Sequence, residues 1–207
     1  MQAKHDGPAP HGEGRAEAWS EFDDARLVSA VADGSEAAFR VLAGRHVGRI
    51  YALARRMLDD PSEAEDIAQD VLARLWREAS RIEVPEHGIG AWLRRVAANR
   101  CLDYLRRRRP GGPEALDALA VPAVQARTLD RRDLHRRVRS VMAALPERQR
   151  LALALFHFEG LSMKETAATL ETTPEAIESL LARARRYLKG ALAEEWRDLL
   201  PEEADRA

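Results

Sequence analysis

Asp66 and Asp70 stand four residues apart, with Gln69 between them and Arg74 one turn further on. On a helix that spacing puts both carboxylates on one face, which calls for a basic partner surface. A second segment, residues 91–109, carries 7 arginines against a single acid, Asp103. Arg100, Arg106 and Arg107 suit contact with phosphates, and Asn99 can read a base edge or steady a flipped base. A third group lies near the C-terminus, where Thr173, Pro174, Glu175, Glu178, Ser179, Arg183 and Arg186 recur at helical spacing. Arginine reaches phosphate or guanine, and glutamate accepts a hydrogen bond from cytosine. The plainer reading of each group is a solvated helix face.

These residues need helices to hold them. Aromatic residues make up 5% of the 207, while Ala, Leu, Arg and Glu abound, a balance that favours helix over sheet. Apolar residues recur every three or four positions from Asp23, with a break at Asp33-Gly34-Ser35. They resume in a long helix carrying Phe39, Leu42, His46, Ile50, Leu53 and Met57, which Asp59-Asp60-Pro61 stops. Ser62 and Glu65 have capping-box spacing and predict the start of the next helix, with a stripe of Ala64, Ile67, Val71 and Leu75. After a loop at 85–90, Trp92, Leu93, Val96 and Ala97 open the arginine helix, and Trp76 and Trp92 are expected as core anchors.

Pro110-Gly111-Gly112-Pro113 cannot continue a helix, so residues 110–129 read as a flexible, mobile linker. Helical pattern returns near Asp130, with Leu134, Val138, Val141 and Leu145, then Leu151, Leu155 and Phe158 beyond Pro146. Ser162 with Glu165 is a second capping box. Glu171-Thr172-Thr173 is a short turn, after which Thr173 caps a helix with Pro174 at its first position. Ile177, Leu180, Leu181, Ala184 and Leu188 form its inward stripe, and small Ala167 permits a steep, close crossing. That is the form of a helix-turn-helix presenting its second helix to a major groove. An ordinary α-hairpin in a bundle shares it.

The formal net charge is −1, yet it is unevenly spread. Residues 21–86 are acidic, 91–109 and 130–190 basic, and 194–207 acidic again. Cys101 is the sole cysteine, so no intrachain disulfide and no multi-cysteine zinc site is available; no cofactor is expected. No apolar run approaches the roughly 20 residues of a membrane span, and the polar N-terminus lacks a signal peptide's apolar stretch. The expectation is a cytoplasmic protein without membrane insertion. No phosphate-cradling glycine loop or catalytic pairing suggests an enzyme.

Three stretches together resemble the extracytoplasmic-function (ECF) group of sigma-70 family RNA polymerase factors. Ala64-Glu65-Asp66-Ile67-Ala68-Gln69-Asp70-Val71-Leu72-Ala73-Arg74-Leu75-Trp76 is similar to region 2.2, which docks on the clamp of the polymerase β′ subunit. The stretch from Trp92 to Arg107 is similar to regions 2.3 and 2.4, which read and open the −10 element. Leu145-Pro146-Glu147-Arg148-Gln149-Arg150 and the helix-turn-helix resemble region 4, which reads the −35 element.

The resemblance implies an all-α protein of two small helical domains: a disordered tail (1–20), a region 2 domain (21–109), the linker (110–129), a region 4 domain (130–193) and an acidic tail (194–207). It assigns Asp66, Gln69, Asp70 and Arg74 to polymerase. It assigns Asn99, Arg100, Asp103, Arg106 and Arg107 to the −10 element, and the Thr173–Arg186 group to the −35 element. Core RNA polymerase (β′ clamp and β flap), promoter DNA and an anti-sigma factor are the implied partners. The sequence departs from the family where Glu171 replaces a turn glycine and where the recognition helix begins acidic. A stand-alone helix-turn-helix regulator would leave the 64–76 segment without a purpose. A helical adaptor with no DNA role would not predict two basic segments flanking a linker.

Overall fold

The computed structural model describes residues 19–84, 88–108 and 131–193, with side chains from residue 136 onward in the last stretch. These form eight α-helices: α1 (Asp24–Ala32), α2 (Glu36–Met57), α3 (Pro61–Glu78), α4 (Gly90–Arg108), α5 (Arg131–Ala144), α6 (Glu147–Leu153), α7 (Met163–Thr169) and α8 (Pro174–Ala191). The expected linker 110–129, the acidic tail and residues 85–87 lie outside the described residues.

Local chemistry sets the helix starts. The Asp23 carboxylate accepts from the Arg26 N–H at 2.8 Å, and the Ser35 hydroxyl accepts from the Ala38 N–H at 3.3 Å. Gly34 takes φ +89° between α1 and α2, a conformation that costs glycine little. The start of α3 corrects the sequence reading. Asp60, not Ser62, is the cap; its carboxylate accepts from the Ser62 N–H at 2.9 Å. Pro61 then occupies the first helical position, where its missing N–H costs nothing. The Ser62–Glu65 capping box is therefore not used, because the helix begins one residue before Ser62.

The first four helices pack through the stripes that periodicity marked. Leu27 and Val31, Leu42, Leu53 and Met57, Ile67, Val71 and Leu75, and Leu93 and Val96 are all buried. Each such large side chain removed from water contributes on the order of 1.5–3 kcal/mol. Trp19 joins this core at 2% exposure and packs its ring 5.5 Å from Phe22, so the expected disordered tail must end before it. Burial pushes the Cys101 thiol up to about 12, so it stays protonated and inert.

Asp24 ties three elements together. It accepts from Arg45 at 3.1 Å, meets His46 at 2.9 Å and accepts the Ile89 N–H at 3.3 Å. Burial works to raise its pKa. The His46 charge and hydrogen bond, the Arg45 bond and the Ile89 N–H outweigh that and hold it below the usual carboxylate value. Gly88, at φ +84°, is the approach that makes this possible, since a Cβ there would lie 2.8 Å from the Asp24 carboxylate.

The last four helices surround Leu151, Leu155, Ile177 and Leu181. After α6 the chain widens into a π-helical turn, Ala154–Phe158. Phe158, expected inward, is 52% exposed, and the Arg56 guanidinium lies 4.9 Å from its ring centroid. The extra residue in the turn rotates this position off the α-helical stripe.

The two halves are not separate in space. Arg150, buried in α6, donates to the Met57 carbonyl at the end of α2 at 2.7 Å. It also donates to the Ala143 and Leu145 carbonyls in its own half. Arg56 of α2 pairs with Glu159 at 2.8 Å. A cleft between the halves is lined by Met57, Leu58, Asp60, Tyr104, Leu105 and Arg150.

Candidate nucleic-acid and polymerase interface

α3 presents the carboxylate group as its spacing requires. Ala64, Ile67, Ala68 and Val71 are buried, which turns Asp66, Gln69 and Asp70 outward, and all three are exposed. Arg74 is half-buried; its Nε donates to Glu78 at 2.9 Å and its guanidinium lies 6.0 Å from the Trp92 ring centroid. Trp76 is not the core anchor expected. It is 38% exposed and packs edge-on against Phe39 at 5.2 Å, whereas Trp92 is half-buried. The register explains the difference, because the inward position of that turn is taken by Leu75.

α4 lies beside α3 with its basic side outward. Leu93, Val96, Ala97, Ala98 and Cys101 face the core. Asn99, Arg106 and Arg107 are exposed, while Arg100 and Asp103 are half-exposed. Asp103 pairs with Arg106 at 3.4 Å. Arg100 Nη2 reaches Asp70 Oδ2 at 2.9 Å, joining α4 to α3 across the two faces. Spacing along either helix gave no signal of this pair, since it depends on how the helices are rotated against each other.

α7 and α8 form the helix-turn-helix. The Ser162 hydroxyl accepts the Glu165 N–H at 3.2 Å and the Glu165 carboxylate accepts the Ser162 N–H at 2.8 Å, the full capping box. Thr173 caps α8 by accepting from the Ala176 N–H at 3.3 Å. Arg148 donates to the Leu170 carbonyl at 3.1 Å, holding the end of α7 against α6. Ala167 is buried at the crossing, and Ile177, Leu181 and Ala184 face inward. That leaves Thr173, Pro174, Glu175, Glu178, Ser179, Arg183 and Arg186 all exposed on one end and face of α8. The Glu175 carboxyl is held below its usual value by its own backbone N–H and by the Thr173 hydroxyl, so it is anionic at neutral pH.

Glu171 takes φ +51° in the turn where a glycine was expected. A left-handed conformation costs a non-glycine residue roughly 1–2 kcal/mol. Glu171→Gly removes that strain at the price of some unfolded-state entropy. Thermal unfolding should show a variant at least as stable as the parent, by up to about 1 kcal/mol. A clear loss of stability would mean that the glutamate side chain holds the turn.

No helix among the described residues is long and apolar enough to cross a membrane, and no group of His, Cys, Asp and Glu among them could hold a metal ion.

A capped helix-turn-helix beside an arginine helix and an acidic helix defines a class: an all-helical protein whose outward faces suit DNA binding. The Sigma-70 region 2 family model matches residues 42–110, and the Sigma-70 region 4 model matches residues 135–188. The ECF RNA polymerase sigma factor SigM of Mycobacterium tuberculosis is 31% identical over 171 residues, spanning 81% of this chain and 84% of that protein. The RNA polymerase sigma-H factor of Pseudomonas aeruginosa is 29% identical over 184 residues, spanning 82% and 93%. Among solved structures, CnrH in complex with the cytosolic domain of CnrY superposes with a TM-score of 0.62 at 26% identity, covering 83% of this chain and 98% of that one. The chain belongs to the sigma-70 family of RNA polymerase sigma factors, in its ECF group.

Proposed function

We propose that this ECF sigma factor docks on core RNA polymerase through the exposed α3 face of Asp66, Gln69 and Asp70, with Arg74 at its edge. Asn99, Arg100, Asp103, Arg106 and Arg107 of α4 then meet the −10 element, and the α8 group from Thr173 to Arg186 meets the −35 element. The observation that carries this reading is the juxtaposition on adjacent helices of an outward acidic face and an outward arginine face. An acidic face repels DNA and suits a basic protein surface; an arginine face does the reverse. The half built around α8 suits contact with the β flap. The functional units taken are those read from sequence, 21–109 and 130–193, with Trp19 added to the first.

The packed halves bear on regulation. Elements at −10 and −35 lie about 25 base pairs apart, or ~85 Å of B-DNA at 3.4 Å per step. A compact chain of this length has a radius of gyration of about 17 Å. One body of that size does not span both elements, so promoter engagement requires the halves to separate. A protein that holds them together would act as an anti-sigma factor. CnrH, a structural relative, was solved with a protein partner, which supports seeking one here.

The test uses core polymerase and a promoter selected from a random library by the wild-type holoenzyme. Run-off transcription should depend on this chain. Asn99→Ala should reduce permanganate reactivity of the melted −10 region with core affinity intact. Arg106→Ala should weaken binding across sequences and flatten the salt dependence by about one unit of slope. Wild-type footprints and salt slopes in both variants would place the DNA face elsewhere.

A further inference from the structure

The contact between Asp70 and Arg100 joins two surfaces given different partners, and it rests on the docking reading above. Arg100 Nη2 and Asp70 Oδ2 are 2.9 Å apart, with the side chains 35% and 59% exposed. A guanidinium paired this way has part of its charge neutralised. Its donor fork is poorly used, since Arg100 Nε is buried without a hydrogen-bond partner. Arg100 shares one row of α4 with Asp103 and Arg107, beside the row of Asn99, Asp103 and Arg106. Asp103 is itself engaged by Arg106 at 3.4 Å.

We propose that Asp70 is a gate on Arg100: in the free protein it withholds this arginine from DNA, and polymerase docking on Asp70 releases it. A basic clamp residue drawn to Asp70 shares its single negative charge with Arg100 and so weakens that pair. Whichever cation the clamp supplies competes with Arg100 for Oδ2. With Asp103 already engaged by Arg106, the freed guanidinium is available to a backbone phosphate of the −10 region. Core binding and DNA binding are thereby coupled through one shared carboxylate, and by linkage the coupling is reciprocal. Its size is bounded by what a partly exposed ion pair is worth, a factor of about two to five in affinity. The coupling therefore tunes the order of assembly, and the remaining arginines of α4 supply most of the affinity.

The experiment measures binding of the full chain, without core, to a fluorescein-labelled single-stranded 20-mer of random sequence. Asp70→Asn should tighten binding about two- to fivefold. Asp66→Asn makes the same change in net charge one turn away without touching Arg100, and should tighten it less. In an Arg100→Ala background the extra gain from Asp70→Asn should vanish, which a general charge effect would not produce. Equal gains from the Asp66 and Asp70 variants, or no gain from Asp70→Asn, would overturn the gate. Core affinity is read separately on the same proteins. If neither aspartate variant weakens core binding, the docking reading fails by that measurement, and release by polymerase falls with it, whatever the DNA result.

Discussion

Asp66→Lys combined with Asp70→Lys lowers affinity for core polymerase by about a hundredfold, with the fold retained. Close charge pairs across protein interfaces couple by roughly 1.5–7 kcal/mol, so reversing two carboxylates on a docking face converts attraction into repulsion at both. A loss near 3 kcal/mol, the hundredfold expected, sits at the lower part of that range for two sites. The cost to folding is small, because both residues are exposed and, among the described residues, the only ion pair lost is that between Asp70 and Arg100. Circular dichroism and the unfolding midpoint should therefore stay near the parent's. Most of the loss should lie in the association rate and grow at low ionic strength. Wild-type core affinity in the double variant would reject α3 as the docking helix.

Arg150→Ala has the largest expected effect on the free protein's shape. Its guanidinium is buried and serves carbonyls from both halves. Hydrogen bonds to a charged donor contribute about 1.5–3 kcal/mol each, and truncation strands buried carbonyls on both sides. A net loss of ~3 kcal/mol is expected, together with opening of the cleft beside Met57. Part of that loss belongs to the corner between α5 and α6, so a second variant isolates the contact between halves. Arg56→Gln removes the ion pair with Glu159 and the ring contact with Phe158, and leaves the second half's internal bonds in place. Small-angle scattering should show a larger radius of gyration for both variants, and trypsin should cut faster between the halves. If Arg56→Gln scatters as the parent does and Arg150→Ala merely unfolds, these contacts do not hold the halves together.

The compact packing also changes how the expected two-domain chain is read. The sequence predicts two small helical domains, 21–109 and 130–193, joined by a mobile tether. The tether lies outside the described residues. The stripes of both halves instead join in one continuous core from Trp19 to Ala184, because α6 and the π-helical turn pack on α2. The sequence carried a trace of this in Arg150, a charged residue next to the buried Leu151. Its partner, a backbone carbonyl 93 positions away, has no side-chain signature.

What the residues determined alone is local. Helix identity followed from apolar spacing of three and four. The Ser162–Glu165 box and the Thr173–Pro174 start were legible because a cap is decided within one turn. The outward α8 face followed from the inward one. Tertiary structure decided what depends on rotation and packing between helices. Asp60 displaced Ser62 as a cap because Pro61 fits the first turn. Trp76 stayed half in water because Leu75 filled the inward site, and the π-helical turn swung Phe158 out to Arg56. Asp70 met Arg100 only because α3 and α4 lie side by side at one rotation, 30 residues apart in the chain. Periodicity fixes which face of a helix is buried; it does not fix which exposed residue on the neighbouring helix comes within 3 Å, because that depends on crossing angle and on side chains far apart in sequence.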